Sequence, residues 1–187
     1  MTTLAQKKRK RLIQMAEGYL DLAVVFEDRW SLSPEHRRKM ASRAIACLND
    51  ITKPGGHRAY LLFLKGQAHR VAGRYRQAIN FFEQSAKLEP ENLHCLLAAA
   101  WCYKRTNQIP QAIESLENAI QIDATSAIVH YNLACYWALS NQVDPAVLHL
   151  SMAIDLDEVY RGLVADERDF DLIRNHPGFQ NLIEIGA

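Results

Sequence analysis

Aligned with itself at an offset of 34 residues, the chain repeats residue type as well as polarity. Gly66, Ala100 and Ala134 share one column, Ala78, Ala112 and Ala146 a second, Phe82, Leu116 and Leu150 a third, and Leu88, Ile122 and Leu156 a fourth. Small residues recur with small ones and large apolar residues with large ones. Self-similarity of this kind belongs to stacked supersecondary units, each unable to bury its apolar face alone, whose shared core forms where neighbours touch.

Within each unit the apolar spacing is helical. The columns Gly66, His69, Ala78, Phe82, Ser85 and Pro90 resemble the tetratricopeptide (TPR) signature of small residue, aromatic, alanine, aromatic, alanine and proline. The second unit carries Ala100, Tyr103, Ala112, Leu116, Ala119 and Ala124, and the third Ala134, Trp137, Ala146, Leu150, Ala153 and Glu158. The first unit departs at His69, where an aromatic is usual, and at Ser85, where alanine is usual. Only Pro90 keeps the closing proline. The resemblance covers roughly residues 59 to 160 and implies an all-α fold: an α-α superhelix, the TPR solenoid, of helix–turn–helix units.

Close helix approach accounts for the small columns, since a longer side chain at Ala78, Ala112 or Ala146 would hold the two helices of a hairpin apart. The turns need residues that tolerate positive φ, and Gly73, Asn107 and Asn141 suit that place. Asp144 followed by Pro145 reads as an N-cap and first helical residue, and Pro110 suits the first turn of its helix.

Ahead of the repeats, Leu12, Met15, Ala16, Tyr19, Leu20, Ala23 and Phe26 predict one long helix from about Leu4 to Trp30. Ser33-Pro34-Glu35 opens a second helix through Ile51, and Pro54-Gly55-Gly56 breaks the chain. After Leu156 a fourth unit begins near Val159 and fails. The segment from Asp169 to Phe179 resembles a tail that follows the last repeat in bacterial TPR proteins, which implies a capping role for Phe170, Leu172, Ile173, Phe179, Leu182 and Ile183. The reading is one domain over 1–187: a helical pair at 1–53, three repeats at 59–160 and a cap at 161–187.

With a net charge of +1, the chain is not built mainly to bind polyanions. The basic run Lys7, Lys8, Arg9, Lys10 and Arg11 reads as a solvated helix start, so nucleic acid is not the expected partner, although contact with a polyanion or acidic membrane surface stays open. Cys47, Cys95, Cys102 and Cys135 lie singly in helical patterns, as buried or groove-lining thiols of a reducing compartment do. No export signal or membrane-spanning run is visible, and a cytoplasmic protein is expected.

The chain has no metalloprotease helix motif, Cys-x-x-Cys, P-loop or dinucleotide fingerprint. Adjacent His94 and Cys95 point about 100° apart on a helix and do not converge on one ion. Asp166, Glu167, Asp169 and Asp171 lack the glycine and the closing glutamate of a calcium loop. No catalytic residue, metal or cofactor is expected, and an enzyme is disfavoured.

What the resemblance does imply is a surface. In TPR units the second, fifth, ninth and twelfth positions of each first helix, joined at times by the sixth, line the concave face. In this chain the first unit supplies Tyr60, Phe63, Gln67 and Arg70, and the second His94, Leu97, Trp101 and Lys104. The third supplies Ile128, Tyr131, Asn132 and Cys135. The expectation is an aromatic groove with a polar fringe that holds a protein or peptide partner. Arg70 and Lys104 would favour acidic residues beside the ligand's apolar anchors. A groove filled by the chain's own terminal helices is the alternative left open. At the positions of the carboxylate clamp that grips chaperone tails stand Phe63, Gln67, Ala98, Ile128 and Asn132, so that clamp is absent. A non-catalytic interaction scaffold is the leading reading, and a small secretion-type chaperone the alternative.

Overall fold

The computed structural model describes residues 3–24 and 33–184, and among them all regular structure is helical. The chain divides into two compact units, Met1–Cys102 and Tyr103–Ala187, each considered by itself below.

In the first unit, α1 (Leu4–Val24) packs on α2 (Pro34–Asn49), α2 on α3 (Arg58–Val71), and α3 on α4 (Tyr75–Leu88), with α1 also touching α3. The predicted continuation of the first helix through Phe26 to Trp30 lies outside the described residues. Ser33 caps α2, its hydroxyl accepting from the His36 N–H at 3.3 Å. The core of this pair and α3 is small and apolar, with Ala16, Leu20, Ala44, Leu48, Leu61, Leu64 and Ala68 all buried.

The α3–α4 hairpin shows how tightly the small column is specified. A Cβ on Gly66 would come within 2.6 Å of Phe82 Cδ1, so only glycine fits against that ring. Where the paired column holds Leu116 or Leu150 instead of Phe82, the small column holds alanine. The departure at Ser85 has a local reason too: fully buried, its hydroxyl donates to the Ala59 carbonyl at 2.8 Å, so the extra polar atom is satisfied. His69, in its aromatic column, stacks on Phe81 with ring centroids 5.1 Å apart.

The turns recur with the period. Gly73, Asn107 and Asn141 all have positive φ, at 76°, 59° and 55°. Behind each, the next N–H reaches back five residues to close a Schellman 6→1 bond: Arg74 to His69, Gln108 to Tyr103 and Gln142 to Trp137, at 2.9, 2.9 and 3.0 Å. Those same residues, Arg74, Gln108 and Gln142, open the following helices. Asp144 is therefore not the N-cap that the sequence suggested; α8 (Val143–Leu156) starts ahead of it because the turn leads straight into the helix.

The second unit holds the end of α5 (Leu93–Arg105), α6 (Ile109–Ile122), α7 (Ala127–Leu139), α8, the short α9 (Val159–Leu163) and α10 (Pro177–Glu184). Its centre is α7, which packs against α6, α8 and a 3-10 turn at Arg168–Phe170. It carries apolar residues around its whole circumference and buries Val129, Leu133, Ala134, Tyr136 and Ala138. The chain after α8 closes over it. Phe170, Ile173 and Phe179 are buried, with the two phenylalanine rings 5.2 Å apart. Arg174 ties the closure down by donating to the Val164 and Glu167 carbonyls at 3.3 and 2.8 Å. Leu172, expected on the covering face, is instead 64% exposed, because the turn that buries Phe170 and Ile173 directs it outward. Leu88, Ile122 and Leu156 also stay partly exposed, each being the last residue of its helix.

Candidate functional site

The first unit holds an open cleft where the inner face of α3 meets α1. Tyr60, Phe63, Gln67 and Arg70 recur along α3 at spacings of three and four, which puts them on one face. All four line a cleft of about 320 Å³ whose other wall is α1, through Glu17, Leu20, Asp21 and Val24. Those four α1 residues also follow helical spacing. Sequence reasoning missed them because it placed the ligand surface on repeat helices only, although the stripe is legible once α1 is taken as a wall. An adjoining cleft of about 450 Å³ continues along α1 past Ile13, Lys10 and Arg9, sharing Glu17 and Tyr60 with the first.

Aromatic contacts stiffen this wall. Phe63 lies 6.4 Å from the Tyr60 ring and 5.9 Å from the Phe82 ring. The Tyr60 hydroxyl donates to Glu17 Oε1, and burial first, then the Glu17 carboxylate, push the phenol up to about 12, so it remains a donor at neutral pH. Arg70 Nε donates to Gln67 Oε1 at 2.7 Å while its guanidinium lies over the Trp101 ring, 5.4 Å from the centroid. Trp101 also meets Tyr75 edge-on at 5.4 Å. Of the other residues expected here, Leu97 is half-buried on α5 and His94 is exposed beside the α4–α5 connection.

In the second unit the expected groove residues meet the chain's own closing segment. Tyr131 is buried between Tyr160 at 4.8 Å and Phe170 at 6.0 Å, and Cys135 is buried beneath it. Lys104 pairs with the buried Asp169 carboxylate and lies 5.7 Å from the Tyr136 ring. Asn132 is half-buried and Ile128 exposed. The alternative of a groove filled by a terminal segment thus describes Tyr131, Cys135 and Lys104, and in part Tyr60 and Phe63, which meet α1.

Cys135, Glu167 and Asp169 bring ligand-type atoms within 4.8 Å of one another. Burial, then Asp169 and Glu167, raise the Cys135 thiol and keep it protonated, and the Lys104 ammonium already serves Asp169. The cluster works as an internal ion pair that anchors the closing segment. His130 and His149 face each other through Nδ1 atoms 3.0 Å apart. His130 Nε2 lies 3.0 Å from the Ala124 carbonyl, which can only accept. His130 therefore carries a proton on Nε2, and as a neutral ring it accepts from His149 at Nδ1.

The tetratricopeptide repeat family model matches residues 72–131. No curated protein sequence matches the chain. Among solved structures, MamA from Desulfovibrio magneticus RS-1 superposes with a TM-score of 0.61 at 18% identity, over 91% of this chain and 94% of that one. YrrB, described as a TPR protein with an unusual peptide-binding site, gives 0.57 at 16% identity, over 81% and 74%. The first TPR domain of Spaghetti (RPAP3), bound to the HSP90 peptide SRMEEVD, gives 0.54 at 13% identity, over 70% and 94%. These define a helical repeat fold. Within that fold, residues 72–131 match the tetratricopeptide repeat family.

Proposed function

We propose that this protein is a non-catalytic interaction scaffold that holds a peptide segment of a partner protein in the α1–α3 cleft. The observation that carries this reading is the composition of the cleft: Val24, Phe63 and Val71 offer apolar anchoring surface over the buried Leu20 and Leu64, with Tyr60, Gln67 and Arg70 as polar groups beside them. Apolar anchors supply affinity and the polar neighbours fix register. That two structurally similar proteins are described as peptide-binding or peptide-bound supports the class of ligand. Tyr131 and Lys104 of the second unit's share are engaged by its own closing segment, so the open cleft is the better candidate. Four buried cysteines with no disulfide among them fit a cytoplasmic setting.

The test is calorimetric titration of a partner-derived peptide into wild type and Phe63→Ala. Loss of a cleft anchor should weaken binding about tenfold or more. Unchanged affinity in Phe63→Ala, with loss on substituting an exposed residue of α4, would place the interface elsewhere. The secretion-chaperone alternative differs in outcome: its client would aggregate when the scaffold is withheld.

A further inference from the structure

We infer that the ligand of the α1–α3 cleft carries a lysine or arginine beside its apolar anchor. This rests on the peptide-binding reading above and reverses the charge preference that Arg70 and Lys104 suggested. Lys104 is committed to Asp169, and Arg70 is engaged by Gln67 and the face of Trp101. The carboxylates of Glu17 and Asp21, one helical turn apart on α1, line the cleft across from Phe63 and Val71 on α3. No lysine or arginine among the described residues forms an ion pair with either. After burial, both carboxylates help hold the Tyr60 phenol in its protonated form, as a negative local field does.

Lys10 and Arg9 line only the adjoining cleft, and Arg9 Nη1 is used on the Lys53 carbonyl at 3.2 Å. From Lys10 to Glu17 the helix rises about 10 Å, so these cations lie beyond direct contact with a group held at Asp21. The two clefts together span α1 from Gln6 to Val24, about 27 Å, which an extended segment of roughly eight residues covers. The occupant is therefore an extended octapeptide-length segment with a large apolar residue against Phe63 and Leu20 and an adjacent cation on Glu17 and Asp21.

Selection from a random octapeptide display library on the full chain tests this. The expected result is enrichment of Lys or Arg next to Leu, Met or an aromatic. A synthetic peptide of that consensus should then bind about tenfold more weakly to Asp21→Asn, and more weakly in high salt, as a part-exposed charge contact does. Asp21 is exposed, so its substitution leaves the fold intact, which an unchanged circular dichroism spectrum would verify. Enriched peptides with acidic residues, still lost on Phe63→Ala, would overturn the charge assignment and leave the cleft reading standing. Selected peptides indifferent to both substitutions, or none selected, would overturn both.

Discussion

Gly66 and Phe82 touch so closely that the ring of one occupies the space where a side chain on the other would begin. Gly66→Ala should therefore destabilise the fold by about 1–3 kcal/mol, overpacking outweighing the roughly 1 kcal/mol that alanine gains over glycine in a helix. Phe82→Leu in the same chain should recover most of the loss, because the other units pair alanine with leucine at these columns. Urea unfolding of the two single variants and the double variant measures the coupling. Simple additivity would contradict the packing account.

Phe170 is fully buried between Tyr131 and Phe179. Its truncation to alanine should cost about 3–5 kcal/mol, the range for a large aromatic removed from a closed core. An unchanged denaturation midpoint would show that the closing segment contributes nothing to stability. Leu172→Ala, at an exposed neighbouring position, should fall within about 0.5 kcal/mol of wild type and serves as the control.

The Lys104–Asp169 pair is costly to break from one side. Lys104→Met leaves a buried carboxylate without its cation and should lose about 2 kcal/mol, whereas adding Asp169→Leu should restore much of it. Burial holds the Asp169 carboxyl above the usual range, although Lys104 pulls it down. The folded chain thus keeps this proton to higher pH than the unfolded one. The group's contribution to stability accordingly declines as pH rises from about 3.9 through the folded value. Asp169→Asn should remove that part of the decline in a series of urea midpoints against pH.

His149 gives the opposite sign. Burial first, then neighbouring His130, lower its pKa below the ordinary histidine value. The unfolded chain takes up this proton near pH 6.5, before the folded chain does, so stability is lost as pH falls below about 6.5. His149→Phe, the residue type found at Phe81 in the same column, should flatten the slope between about pH 7 and 5. An unaltered slope would mean that the pair titrates alike folded and unfolded.

The period of 34 residues, the small columns and the positive-φ turn residues were legible in the sequence because they are local or strictly repeated requirements. Gly73, Asn107 and Asn141 each satisfy a backbone geometry set within a few residues, and Ala78, Ala112 and Ala146 mark the same helix crossing in each unit. Which face stays open was not legible in that way. Tyr131 and Cys135 fit the pattern of groove residues as well as Tyr60 and Phe63 do, yet both are buried, Tyr131 against Tyr160 and Phe170. Likewise Lys104 looks like a free groove cation until Asp169, 65 residues later, is folded against it. Glu17 and Asp21 look like solvated helix charges until α1 is set beside α3. Helical periodicity states which residues share a face, whereas burial depends on what later or earlier chain is brought against that face. That is a property of tertiary packing, decided by contacts between residues far apart in sequence.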